Sequence, residues 1–527
     1  MNIRSYVAIA CMALSSSVLC LPMASHAQAK VFRIVPQADL KFTDPIVSSN
    51  YVTRNFAMLV YDTLFARDAG GVPRPQMVDK FRYFDGGKQW SFTLRSGLQF
   101  HDGTPVTAAD VVASLERWQA QDNYGRAMIA AGAQWRANDK TTFSLSMKEP
   151  FGQVLEALSK NTSLPAVIMP ERLIKAAGNG AVTEVVGSGP YKFKRDEWVP
   201  GSKVVFVRNA QYVGRSEPAS ALAGNRAGTI DRIEWVILPD SNSAMAALKN
   251  SEVDMIEQIP PDYINPLRSD TSIKVGTTGA SQGALVLNTL YPPFNNEKVR
   301  QALLHAVDQA KFTTAMGYPA DLRMKYCPTF FICGAPGETA AGAEPYRGAD
   351  LAKARQLLAE SGYKGEKVVM MLPSDYPSIN GSGLVAIQTM KDIGLKVEVQ
   401  SMDWPTLVSR RTKKDKPEAG GWSAYTTLVA AQATDSPLSN FVLGAACGNT
   451  QPGWPCDKKL DELRLEWTRQ TDAAKRKSAL DNFQRQAYQS VLYLPLGQFS
   501  GAFAARKTVK NIERQVGDVP MLWALDK

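Results

Sequence analysis

At 527 residues the chain is long enough for two or three domains, and 45% hydrophobic with 21% charged residues is the balance of a chain that can bury a core. The 60 Lys and Arg against 50 Asp and Glu give a net charge of +10. The basic residues are spread along the chain, and the densest run, RRTKKDKPE at 410 to 418, has no interleaved aromatics to stack bases, so it reads as a solvated helix end and loop rather than a nucleic-acid surface.

The first thirty residues are MNIRSYVAIACMALSSSVLCLPMASHAQAK. Arg4 is a positive leader, residues 6 to 21 are largely apolar, and Ala27-Gln28-Ala29 is a small-residue cleavage site, so residues 1 to 29 are expected to be a secretory signal peptide. A membrane anchor needs about eighteen unbroken apolar residues, and Ser15-Ser16-Ser17 interrupts this run. Neither Cys11 nor Cys20 has the leucine-then-small context of a lipid-attachment cysteine. A mature protein starting at Lys30 keeps four cysteines, Cys327, Cys333, Cys447 and Cys456. Their C-x5-C and C-x8-C spacings fit no zinc pattern, and an even count in an exported chain favours disulfides. Three connectivities are open; the local one, 327 with 333 and 447 with 456, is expected.

The mature chain begins KVFRIVP, a β-rich run ended by proline. FHDGTPVTAADVVASLERW follows at 100 to 118, with His101 beside Asp102 in a loop and a Thr107/Asp110 capping-box spacing that opens a helix with Val111, Val112, Leu115 and Trp118 on its apolar face. Adjacent side chains usually diverge, and Asp102-Gly103 is a turn signal, so the pair reads as structural rather than catalytic. GSGPYKFKRDEWVPGSKVVFVRN from 187 reads as a hairpin, DRIEWVILPD at 231 to 240 as a strand, and SNSAMAALKNSEVDMIE as a Ser- or Asn-started helix and a short strand. NEKVRQALLHAVDQAKF from 296 spaces Val299, Ala302, Leu303, Ala306 and Val307 as one helix behind an Asn cap. DLAKARQLLAESGY predicts a second helix ending near Gly362, and a last helix is expected over about 457 to 490 before the strand VLYLPLGQF. Strands alternating with helices, without a repeat period, give an α/β class.

Enzymatic ingredients are scarce. Only His101 and His305 remain in the mature chain, and no G-x-S-x-G, H-E-x-x-H, P-loop or G-x-G-x-x-G occurs. Two histidines and four cysteines expected in disulfides leave little for a transition metal, so neither a cofactor nor a metal site is expected.

FHDGTPVTAADVVASLERW resembles the signature of family 5 extracellular solute-binding proteins, the peptide and nickel binders that serve ABC importers. GSGPYKF, ILPDSNSAMAALKNSEVDMI, PPFNNEKVRQALLHAVD, DLAKARQLLAESGY and KDIGLKVEVQSMDW agree with that family in order. The resemblance implies an α/β, periplasmic-binding-protein-like two-lobed fold with an extra subdomain. Residues 30–50, 188–280 and 498–527 would form the core of lobe I, 51–187 the extra subdomain and 281–497 lobe II, with chain crossings near 279 to 283 and 495 to 499.

It also implies a ligand cleft between the lobes. Trp404, at the end of KVEVQSMDW, matches a cleft tryptophan. In GGWSAYTTL, Trp422, Tyr425 and Thr426 fall where peptide binders carry a tryptophan and, three residues later, an aspartate for the peptide amino group; that position is Tyr425. In MMLPSDYPSING, Asp375 and Tyr376 stand where dipeptide binders carry an arginine for the carboxylate. Asp435, in ATDSPLSNF, either faces the cleft or caps a turn; Asp39, Leu40 and Tyr51 match loops of the first lobe. With both charged anchors missing, and a buried unpaired charge costing several kcal/mol, the resemblance points away from a standard dipeptide and toward an amino-acid conjugate or modified peptide. The implied partners are that ligand and an inner-membrane ABC permease with cytoplasmic ATPases, in the periplasm, with a monomer expected and no nucleic acid. An ordinary di- or oligopeptide, chelated nickel, or a sensor or chaperone role on the same fold are the alternatives.

Overall fold

The computed structural model describes residues 29–335, 337–444, 447–448, 451–515 and 517–527. The expected signal peptide, apart from its last residue, lies outside the described residues.

A ten-stranded mixed sheet runs through the molecule. Its order is Lys396–Met402, Lys367–Pro373, Ala424–Ala430, Ile273–Leu287, Tyr493–Arg506, Met255–Ile256, Val31–Val35, Arg232–Val236, Lys203–Arg208 and Tyr191–Phe193. The two central strands are the longest and pair antiparallel from Ile273↔Arg506 to Val286↔Tyr493, with register breaks between Thr277 and Ala280 and between Gln282 and Ala284. Beyond those breaks the neighbours change. Met255 pairs with Ala505 near one end, whereas Ser281 to Leu287 pair with Ala430 to Ala424 at the other.

The apolar side chains divide at the same place. One core gathers residues from Phe32 to Met255 with Phe503 to Leu525, a smaller neighbouring cluster holds Ile256, Ile273, Ala502 and Ala504, and another core runs from Ala284 to Phe499. Two separately cored lobes on one sheet are the two-lobed α/β architecture expected.

On the first lobe, Val78–Phe84, Gln89–Leu94, Thr142–Ser146 and Gln134–Ala137 form a four-stranded antiparallel sheet. Gln89–Leu94 alternates half-buried and buried residues as a one-sided strand must, and Phe92 stacks between Trp90 and Phe143 at 5.9 and 4.9 Å. Helix Ala108–Gln121 covers this sheet and carries the expected capping box between Thr107 and Asp110. His101 Nε2 meets the Gly189 carbonyl at 3.0 Å, and Asp102 pairs with Arg172 at 2.6 Å and with the Thr104 hydroxyl and N–H, so the His-Asp stretch ties a loop down.

Three helix readings need correction. The helix after Asn296 ends at His305, and a second, Gln309–Ala315, starts where the Asp308 carboxylate accepts from Ala310 and Lys311 N–H. The long C-terminal helix is likewise two, Lys458–Arg469 and Ala473–Ser490, because Asp472 caps a new start by accepting from Lys475 N–H. Helix Ser241–Lys249 is capped by Asp240 rather than by a serine or asparagine. In each case a short acidic side chain competes for backbone N–H groups and restarts the helix. Both disulfides are local, Cys327–Cys333 and Cys447–Cys456.

Candidate functional site

Val31–Val35 runs parallel to Arg232–Val236 on one side and to Met255–Ile256 on the other, so three adjacent strands end at one edge. The chain leaves them through Pro36 to Asp39, Ile237 to Ser241 and Gln258 to Asp262. The second lobe places Ala315 to Tyr318 and Asp375 to Ser378 opposite, the latter directly after strand Lys367–Pro373. Together they enclose a cavity of about 710 Å³. Carboxyl ends of parallel strands, and clefts between domains, are where α/β proteins take ligands, because loops there are free to vary over a fixed scaffold.

The cavity's chemistry is one-sided. Asp39, Asp262 and Asp375 line it, and no Lys, Arg or His does among the described residues. Asp375 Oδ1 accepts from Trp404 N–H at 2.7 Å, which fixes the carboxylate at the mouth. Tyr376 is 42% exposed and meets Trp404 edge-on at 5.9 Å. Tyr318 stacks on Phe499 of the long strand at 4.0 Å. Burial raises both phenol pKa values, so the hydroxyls stay protonated and able to donate at neutral pH. Three helices also begin at the wall, at Ser241, Pro261 and Pro377. Asp240 caps the first, but Pro260 and Tyr376 make no side-chain cap bond to the other two. Their first-turn N–H groups present a weak positive end beside the carboxylates.

Behind this wall lies a buried polar network. Glu257 accepts from Gln37 N–H at 3.0 Å, from Gln37 Nε2 at 2.9 Å and from Asn55 Nδ2 at 2.7 Å, and burial raises its pKa. Arg54, almost wholly buried, donates to the Asp518 carbonyl at 2.8 Å and lies 4.6 Å from the centre of the Tyr51 ring. These bonds hold the Gln37 segment in place.

The sequence-derived residues thus separate into groups. Asp39, Asp375 and Tyr376 meet in this cavity, and Trp404 supports Tyr376 and Asp375 from its rim. Leu40 is fully buried in the first core, and Tyr51 packs with Arg54 without lining the cavity. Trp422, Tyr425 and Thr426 are 0%, 2% and 0% exposed and do not line this cavity. Trp422 lies edge-on to Tyr425 at 5.2 Å and donates to the Arg411 carbonyl, while Thr426 donates to the Ile379 carbonyl. Strand pairing explains this: Tyr425 faces Val286, inside the second core, whereas the cleft end of that strand is Ala430, opposite Ser281.

Asp435 does not line the 710 Å³ cavity and is partnered elsewhere. Its carboxylate meets Arg67 at 3.0 Å and accepts from the Ser439 hydroxyl at 2.6 Å, beside a second cavity of about 690 Å³. Tyr318 and Asp262 were not foreseen; the one local signal for Tyr318 is the turn at Gly317, whose φ is +86°. Among the described residues no group of three or more His, Cys, Asp or Glu could hold a metal ion, and no helix is long and apolar enough to cross a membrane.

Comparison with known proteins gives the family and the fold. The family model for bacterial extracellular solute-binding proteins, family 5 Middle, matches residues 72–450. The probable peptide ABC transporter periplasmic-binding protein y4tO of Sinorhizobium fredii (strain NBRC 101917 / NGR234) is 33% identical over 500 residues, covering 93% of this chain and 92% of the relative. The glutathione-binding protein GsiB of Shigella dysenteriae serotype 1 (strain Sd197) is 25% identical over 86% of each chain. Among solved structures, the PBP AgaA from A.tumefacien R10, in complex with agropinic acid, is similar with a TM-score of 0.74 at 22% identity, over 94% of this chain and 98% of that one.

Proposed function

Because the chain belongs to the bacterial extracellular solute-binding proteins, family 5, we propose that it is the periplasmic receptor of an ABC importer, taking a small amino-acid conjugate between its lobes and delivering it to an inner-membrane permease. It is a binding protein, not an enzyme. The observation that carries the substrate class is the acidic, tyrosine-edged cavity between the lobes, free of Lys and Arg among its described lining residues. An ammonium or guanidinium group is drawn to Asp39 and Asp375, and the two tyrosines offer hydroxyls and ring faces to it. A carboxylate finds no arginine there. It is served by the uncapped N-terminus of helix Pro377–Ile393, worth up to about 2 kcal/mol in a partly buried setting, against the bidentate grip of an arginine. That balance favours a conjugate whose amine dominates over a dipeptide held at both ends. The relatives named for glutathione and the neighbour holding agropinic acid support an amino-acid derivative as the solute, and it is the acidic lining alone that argues for a dominant amine.

In this reading residues 1 to 29 direct export, residues 30–50, 188–280 and 498–527 make lobe I, 51–187 its extra subdomain and 281–497 lobe II, and the monomer works alone. The two cores and the register breaks in the long strands support the division between the lobes, while the first core is shared by the lobe I segments and the subdomain. A solute shifts the lobes toward closure only by its extra affinity for the closed form.

The test is a thermal-shift panel on the chain from Lys30 with agropinic acid, glutathione, Ala-Ala, glucose and nickel ion. At about a hundredfold excess over Kd a ligand adds about 2.7 kcal/mol, a rise of about 2 to 3 °C for a chain of this length. Stabilisation by a conjugate and not by Ala-Ala is the expected result; stabilisation by Ala-Ala alone rejects the conjugate reading.

A further inference from the structure

Away from the 710 Å³ cavity, the extra subdomain reaches across to the second lobe and holds it. Arg67 meets Asp435 at 3.0 Å, both groups largely shielded from water. Tyr124, only 3% exposed, shares a 2.7 Å hydrogen bond with the Ser436 hydroxyl, which is also 2.9 Å from that of Ser439. Gly152 N–H donates to the Thr468 carbonyl at 2.7 Å, and Arg476 returns a bond to the Gly152 carbonyl at 2.9 Å while lying 3.6 Å from Glu156. A Cβ on Gly152 would come within 1.8 Å of the Gln470 carbonyl oxygen, so only glycine lets the two backbones approach this closely. Leu438 packs against the cores of both lobes.

Arg67, Tyr124, Gly152 and Glu156 belong to the subdomain, and Asp435, Ser436, Thr468 and Arg476 to the second lobe. Covalently the lobes are joined through the two long strands. Parting the subdomain from the second lobe breaks this set of contacts, and none of the residues making them lines the 710 Å³ cavity.

We propose that the extra subdomain is a clasp: the Arg67–Asp435, Tyr124–Ser436 and Gly152–Thr468 contacts hold the lobes shut and set how long a solute stays without touching it. The inference rests on the lobes parting about the long strands and on the solute sitting in the 710 Å³ cavity, since Arg67, Tyr124, Asp435 and Ser436 themselves line the 690 Å³ one, and not on which solute is taken. Arg67 and Asp435 are positioning residues in this scheme. Loss of one charge-assisted contact shifts the closed-to-open ratio by roughly ten- to a hundredfold.

Small-angle X-ray scattering on the ligand-free chain from Lys30 tests this. Arg67→Glu and Asp435→Arg should each enlarge the radius of gyration, and the double variant Arg67→Glu/Asp435→Arg should return it toward wild type, with far-UV circular dichroism unchanged throughout. Wild-type dimensions in both single variants, or a double variant expanded by the sum of the singles, overturns the clasp. Should either single variant fail to fold, Tyr124→Phe and Ser436→Ala carry the same test: expansion is expected, and unchanged dimensions overturn it. No solute is present in this experiment, so its failure and that of the solute panel are read separately.

Discussion

His101 shows how a residue that advertises chemistry can serve only packing. Its backbone N–H donates to the Gly187 carbonyl at 2.7 Å and its ring meets Gly189, locking the loop to the segment that feeds the hairpin. Burial lowers its pKa from 6.5 to about 4, against the opposing pull of the Gly189 hydrogen bond. A histidine depressed in the folded state is protonated more readily when unfolded, so its contribution to stability is full above pH 6.5 and is lost as pH falls toward 4. The loss is roughly 3 kcal/mol at most, from 1.36 kcal/mol per pH unit. Urea unfolding between pH 7 and 4 should therefore show a pH-dependent fall that His101→Gln reduces by about that amount; an identical slope in the variant would show that another group controls it. The residue identities of the cavity were legible in part: Asp39, Asp375 and Tyr376 follow strand ends in the sequence, but Tyr318 comes from a loop between two helices, and no local pattern reveals which cavity such a loop reaches.

Strand Ala424–Ala430 marks what sequence reading does not settle at the scale of an element. GGWSAYTTL is recognisable as a motif, but its depth in the lobe depends on register, and the register is set by pairing with Ile273–Leu287, more than a hundred residues earlier. Read from the motif, Trp422 is a cleft wall; read from the pairing, it is core, packed against Tyr425 and Trp454. Trp422→Ala should then cost about 3–5 kcal/mol in chemical denaturation, as for other buried aromatics, with solute affinity unchanged in the fraction that stays folded. A cleft tryptophan would give the reverse, little loss of stability and a large loss of affinity. The helices tell a similar story. Apolar spacing found five helical stretches and missed others, among them Tyr51–Val60 and Pro377–Ile393, and it ran through Asp308 and Asp472, where an acidic cap stops one helix and starts the next within the same apolar face.

Across the whole molecule, two lobes with their own cores share one sheet, so a small change of twist at the register breaks can move large bodies. The sequence carried this architecture through segments spread over the chain in a fixed order. It could not carry the clasp, whose partners Arg67 and Asp435 stand 368 positions apart and meet only once both lobes are folded. On the proposed reading the acidic lining and the separate latch divide the labour: the first would choose the solute and the second hold the lobes together. The measurement that bears most directly on this account is calorimetric titration of the best-stabilising conjugate into wild type and Asp39→Asn/Tyr376→Ala. The account predicts at least a tenfold weaker Kd, about 1.4 kcal/mol, in the variant with its melting temperature little changed. Equal affinity in the two proteins would place the ligand elsewhere and contradict it.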